Sequence, residues 1–306
     1  MSLTAQSLVR TIGTLTLGAM LASQAAAYTA TTIDGATVNA QTLAQSLLSA
    51  NSNITINSVS YQGANIASGL FTGGSSIFGI DNGVVLTTGN ANTFDSNQNG
   101  VAGAPILKPL TTGSTADASI LTIRFTPVGN QIQFTYAFGS REYPSYVDSQ
   151  YNDVFGMFVN GTNYALVPNT TTPVAINNIN CGDASGAGAM PNCALFVDNR
   201  NGDQGLPLSA LGGWTRALTF SAPVNPGVEN ELVIAIADVG DESLDSAAFI
   251  AGGTLGSCGG AGQPVCGGGA PVRQAIELPL MSPAQTALMA MLFALFASWQ
   301  VRRRKV

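Results

Sequence analysis

The chain contains no histidine. That absence excludes a Ser-His-Asp or Cys-His catalytic unit and any zinc site that depends on imidazole. Charge is also scarce, at 9% of residues, and basic charge is scarcest. All 17 acidic residues fall between Asp34 and Glu277, where Lys108, Arg124, Arg141, Arg200, Arg216 and Arg273 oppose them. With 6 bases against 17 acids, residues 28–278 carry a net charge of −11. Such a surface repels nucleic acid, whose phosphates require clustered Lys and Arg, and attracts divalent cations. No fixed-period repeat is present.

Long apolar runs are confined to the two ends. Arg10 precedes twelve apolar residues, 11–22, and Ala25-Ala26-Ala27 then offers a small-x-small cleavage site. This pattern predicts a secretory signal over 1–27, cut by signal peptidase between Ala27 and Tyr28. At the other end, residues 284–301 carry no charge, and Arg302, Arg303, Arg304 and Lys305 follow at once. Eighteen helical residues span roughly 27 Å, enough for a hydrocarbon core. The basic cluster belongs on the cytoplasmic side of the inner membrane. The two ends therefore predict one topology, with the body exported beyond that membrane.

Four cysteines in an exported chain favour disulfides. Three pairings are possible on paper. The loops between Cys181 and Cys193 and between Cys258 and Cys266 are short and flexible, which favours local pairing. Residues 256–277 read as a Gly/Pro-rich linker between a body at 28–255 and a tail at 278–306.

Within the body, one stretch is helical in pattern: residues 38–48 place Leu43, Leu47 and Leu48 on one face. Short strands dominate elsewhere, at 54–61, 83–86, 120–125, 131–138, 154–159, 164–167, 194–197, 216–220, 232–237 and 247–250. In 131–138 the alternation is cleanest, with Ile132, Phe134, Tyr136 and Phe138 facing one way. These features predict a mainly all-β fold, a β-sandwich or jelly-roll-like body with one short N-terminal helix, framed by the signal and a transmembrane helix at 284–301.

Two resemblances add to this reading. Leu278-Pro279-Leu280-Met281-Ser282, the apolar run, Trp299 and the Arg cluster resemble bacterial sorting tails that begin Ile-Pro-Thr-Leu-Ser. Leu278 stands in place of Ile, Leu280-Met281 in place of Thr-Leu, and no Trp follows the Ser closely. The resemblance implies recognition by an exosortase-type membrane enzyme. The body segments NAQTLAQSLLSANSNITINSVSYQGANIASGLFTGG, IFGIDNGVVLTTGNA, FTYAFGSREYPSYVDSQYNDVFGMFVNG and LVIAIADVGDESLDSAAFIAGG resemble the bacterial choice-of-anchor L domain. Arg141 stands where that family more often has a second acid before Glu142, and the 181–193 insertion is peculiar to this chain. The resemblance implies an exported or surface-displayed domain and no catalytic activity.

The candidate site residues are acids where strands meet loops. Glu142, Asp148 and Asp153 follow the aromatic strand, and Asp238, Asp241, Glu242 and Asp245 follow the strand at 232–237. Carboxylate and main-chain oxygens make a hard-cation site, so Glu142, Asp148, Asp153, Asp238, Asp241 and Asp245 are expected calcium ligands. Turn capping, N–H acceptance or pairing with Arg141 would also use them. Asp95-Ser96-Asn97-Gln98-Asn99-Gly100 has the opening spacing of a helix-loop-helix calcium loop, but its twelfth position is Ile106, so it reads as a surface loop. The leading expectation is a non-enzymatic surface protein with an envelope, matrix or adhesion role. Two alternatives are a module that stacks extracellular polysaccharide on Tyr143, Tyr146, Tyr151 or Trp214, and a polysaccharide-cleaving enzyme using Glu142 with Asp153 or Asp238.

Overall fold

A computed structural model describes residues 27–95, 102–207 and 210–266. The expected signal segment, the sorting motif Leu278–Ser282, the span at 284–301 and the basic cluster at 302–305 lie outside the described residues, apart from Ala27 at the cleavage position. No helix among the described residues is long and apolar enough to cross a membrane.

The body is mainly β, as its alternation predicts. In chain order the strands are β1 (Thr29–Thr32), β2 (Ile54–Gln62), β3 (Ser68–Thr72), β4 (Asn82–Thr87), β5 (Thr115–Pro127), β6 (Gln131–Ser140) and β7 (Val154–Val159). There follow β8 (Thr162–Asn163), β9 (Phe196–Asp198), β10 (Gly213–Thr215), β11 (Leu218–Pro223), β12 (Asn230–Val239), β13 (Ser246–Ala251) and β14 (Gly256–Cys258). They form two antiparallel sheets. The five-stranded sheet runs β2-β5-β12-β7-β8, and the nine-stranded sheet runs β1-β3-β4-β13-β6-β10-β9, with β11 and β14 also paired to β6. Strand β6 is the spine of the larger sheet: β13 and then β14 share one of its edges, and β10 and then β11 share the other.

The two sheets face each other across one core. Ile132, Phe134, Tyr136 and Phe138 of β6 meet Leu121, Ile123 and Phe125 of β5, Phe155 and Met157 of β7, and Ile234 and Ile236 of β12. Phe134 stacks on Phe220 at 4.3 Å, and Phe138 on Phe155 at 5.8 Å. Truncating a buried aromatic of this kind costs about 3–5 kcal/mol. A second cluster covers the outer face of the larger sheet. There Phe249 and Val85 lie under α2 (Ser75–Phe78), Trp214 and Tyr28. A third covers the smaller sheet, where Val233, Ala235 and Phe158 lie under a 3-10 turn at Pro105–Leu110.

The predicted helix exists as α1 (Ala40–Leu47). Its start follows from a capping box: the Thr42 amide donates to Asn39 Oδ1 at 3.0 Å, and the Asn39 amide to Thr42 Oγ1 at 2.9 Å. Leu43, Ala44 and Leu47 are buried against the inter-sheet core.

Some expected elements differ. Residues 164–167 form no strand beyond a single bridge from Leu166 to Pro173. The Asn163 side chain takes up the amides of Met157 and Ala165 there, which diverts the backbone from a ladder. The Gly-rich stretch after 255 continues the sheet as β14 before Cys258 closes on Cys266. The other disulfide joins Cys181 to Cys193, with Cα atoms 4.7 Å apart.

Candidate functional site

One end of the sandwich gathers the loops that follow β4, β6 and β12, together with the starts of β5, β7 and β13. Five acids from these segments turn inward. Asp117, Glu142, Asp153, Asp238 and Asp245 are each 2% exposed or less.

Local structure explains why each points in. Asp117 lies at a β-bulge: Ala116 pairs with Asp238 and Ser119 with Ile236, leaving Asp117 and Ala118 opposite Ala237 alone. Its φ of +47° is the left-handed conformation that such a bulge uses to redirect a side chain. Asp153 precedes β7 and accepts from two segments, the Val239 amide at 3.1 Å and the Ser246 hydroxyl at 2.7 Å. Asp245 precedes β13; its Oδ1 faces the Thr88 hydroxyl at 3.4 Å, and its carbonyl accepts the Arg141 amide at 3.0 Å. Gly89 is glycine for want of space, because a Cβ there would collide with the Asp245 carboxylate and lie 2.7 Å from the Asp95 carbonyl. The Glu142 amide donates to Ser140 Oγ at 2.9 Å, which starts the loop after β6.

Burial and mutual repulsion raise the proton affinity of these groups. Glu142 is pushed up to about 9, first by burial and then by Asp153 and Asp241. Asp153 rises to about 7 through burial, moderated by its bonds from Ser246 and Val239. Asp245 also rises to about 7 through burial, moderated by the Arg141 guanidinium. Asp238 is raised well above the usual carboxylate range by burial and by Asp153. Both carboxylate oxygens of Asp238, Oε2 of Glu142 and Oδ2 of Asp245 accept no hydrogen bond.

Of the six expected calcium ligands, Glu142, Asp153, Asp238 and Asp245 lie in this cluster. Asp148 is exposed on the surface. Asp241 is exposed at the rim, where its charge acts on Glu142 while its side chain accepts the Ser243 amide. Sequence reasoning missed Asp117, whose only signal was an acid inside an otherwise small and apolar stretch. Among the described residues, no three Asp, Glu, Cys or His side chains form a ready-made metal-ligand set.

A cleft of about 430 Å³ lies at the same end, lined by Arg141, Tyr143, Tyr146, Arg200, Asn201 and Leu244 among others. Arg200 is held by Asp198 at 2.6 Å and by the Ala184 carbonyl at 3.1 Å. Two of the expected sugar-stacking rings are removed from solvent. Trp214 is fully buried and its indole donates to the Ile77 carbonyl, while Tyr143 is buried with its hydroxyl on the Ile179 carbonyl. Tyr146 is 38% exposed and meets Tyr151 edge-on at 5.4 Å.

A family model, that of the choice-of-anchor L domain, matches residues 31–256. No curated protein and no solved structure matches the chain.

Proposed function

The chain belongs to the choice-of-anchor L domain family, whose members are bacterial cell-surface or secreted proteins, and from that membership we propose an exported, surface-anchored, non-enzymatic role in envelope, matrix or adhesion. Signal peptidase releases Tyr28 as the first mature residue. An exosortase-type enzyme recognises Leu278–Ser282 while the 284–301 helix holds the chain in the inner membrane. Calcium stabilises the loop end of the domain.

The burial of the acids is the observation that carries the non-enzymatic reading. A glycosidase needs two carboxyl groups that touch substrate, and Glu142, Asp153 and Asp238 are sealed from solvent. Tyr28 supports the cleavage position. Its ring lies 5.3 Å from Phe94 and 5.8 Å from Phe71, and its hydroxyl donates to the Ala91 carbonyl. Tyr28 is thus packed into the folded body at the point where the signal is expected to end. Mass spectrometry of the chain from its native envelope tests the reading. A mature N-terminus at Tyr28 and cleavage by protease added to whole cells are expected. An intact chain with Met1 and reduced thiols inside the cell contradicts it.

The cleft favours one second reading, a saccharide-binding surface. An exposed aromatic face beside fixed polar groups is the usual composition of a ligand site, and Tyr146 with Arg200 and Asn201 supplies it. Affinity electrophoresis through gels containing polysaccharide tests this: retardation that Tyr146→Ala abolishes supports it, and unretarded migration excludes it.

A further inference from the structure

Two acids of the cluster end in oxygens that no protein group satisfies. Both oxygens of Asp238 and Oε2 of Glu142 lack a hydrogen-bond partner, although Asp238 is 0% and Glu142 2% exposed. Burial acts on the Asp238 carboxylate first, then the charge of Asp153, with the nearby Thr88 hydroxyl easing it and Asp245 and Asp117 adding to the repulsion. The Val239 amide and the Ser246 hydroxyl serve Asp153. Ionised carboxylates buried this way are strongly destabilising unless a positive charge joins them.

The donor chemistry selects that charge. Every candidate ligand is an oxygen, the chain has no histidine, and the described residues contain no free cysteine. Soft and borderline metals therefore find no nitrogen or sulfur here. Among the described residues the acids do not stand ready as a ligand set for any metal, so an ion has to draw the side chains in, which the strict octahedral geometry of magnesium tolerates poorly. Calcium accepts six to eight oxygens in irregular arrangements and tolerates side chains that move in to meet it.

We propose that this cluster binds one calcium ion through Asp238, Asp245 and Glu142, with Asp117 and Asp153 completing the negative shell, and that the ion fastens the two sheets together at their loop end. The topology supports the fastening. Asp117, Asp153 and Asp238 belong to or border strands of the five-stranded sheet, whereas Glu142 and Asp245 flank β6 and β13 of the nine-stranded one. The exposed Asp148 and Asp241 are not ligands. The bulge at Asp117 acquires a purpose, because it turns a carboxylate into the shell.

The proposal deepens the reading that calcium stabilises the loop end, and it is tested without reference to export. The full chain, purified in detergent and stripped of metal, is titrated with calcium chloride by calorimetry and melted with and without 10 mM calcium. For an extracellular-type affinity of about 10⁻⁴–10⁻³ M, Tm rises by about 3–10 °C, and magnesium does less. Asp238→Asn lowers calcium affinity at least about 10-fold, and so does Glu142→Gln, which serves if the first variant does not fold. No heat and no rise in Tm for the unmodified chain would overturn the site. So would equal stabilisation by magnesium, or unchanged calcium affinity in both variants. Surface display is read separately by protease on whole cells, so failure of the ion site leaves that result intact, and the reverse holds.

Discussion

At the Asn230 end of β12, Glu229 and Glu231 reach into water and share Arg124, at 3.2 and 2.7 Å. Roughly 23 Å along the same strand, Asp238 is buried among other acids. The Asn57 amide and then Arg124 hold Glu229 below the ordinary glutamate range. Burial, Asp153 and Asp241 drive Glu142 far above it. One residue class thus meets opposite environments within one sandwich. At the wet end Glu229 and Glu231 pair with Arg124, whereas at the other end the inward acids crowd one another and the Arg141 guanidinium moderates Asp245. In a body with so few bases, buried acids in such number make sense with a cation that the chain does not encode.

The largest expected effect is a reversal of pH dependence between the two ends. In EDTA, Asp153, Asp245 and Glu142 keep protons in the folded state that the unfolded chain has released above about pH 4. Their stabilising contribution is complete below that pH and is lost as pH rises, through about 7 for Asp153 and Asp245 and about 9 for Glu142. Chemical denaturation in EDTA from pH 5 to 8 should therefore show falling stability. Glu229 works with the opposite sign. Its contribution is present above the unfolded glutamate pKa and disappears on acidification, and it is too solvent-screened to mask the first trend.

Gly89→Ala comes next. The added Cβ strikes the Asp245 carboxylate, and overpacking of this kind costs about 1–3 kcal/mol. The loss should be greater in calcium than in EDTA if the displaced Asp245 carboxylate is one of the proposed ligands. Ser246→Ala removes the hydroxyl from Asp153 Oδ2 and should lower stability by about 1–2 kcal/mol, measurable by urea denaturation. The smallest effect is expected at the wet end of β12. Arg124→Ala should shift Tm by less than about 2 °C, and added salt should erase the difference.

Much of the sandwich was legible because its strands obey a period of two. Strand β6 shows Ile132, Phe134, Tyr136 and Phe138 on the core side, as the alternation requires. Strands β4, β7 and β12 read as continuous apolar runs, because both faces of these strands are covered. Strands β1, β3, β8, β10 and β14 were missed. They are short and rich in Thr, Gly and Ser, and pairing with longer neighbours makes them strands despite weak intrinsic propensity. Trp214, named only in the alternative saccharide-stacking reading, is core. Gly213 lets Phe196 approach closely, and the Trp214 ring is enclosed.

The candidate site was legible in its location and not in its membership. Acids at strand ends could be read from order along the chain. Which of them turn inward depends on a bulge at Asp117, a hydrogen bond from Ser246 to Asp153 and the space left by Gly89. None of these has a one-dimensional signature, so exposed Asp148 looked equivalent to buried Asp153.

A crystal structure of the chain grown in millimolar calcium tests the cation account most directly. The account predicts one ion with oxygens of both Asp238 and Asp245 at about 2.3–2.6 Å, joining the two sheets at the loop end. Well-ordered crystals from the same solution, with no ion among the five acids, would contradict it.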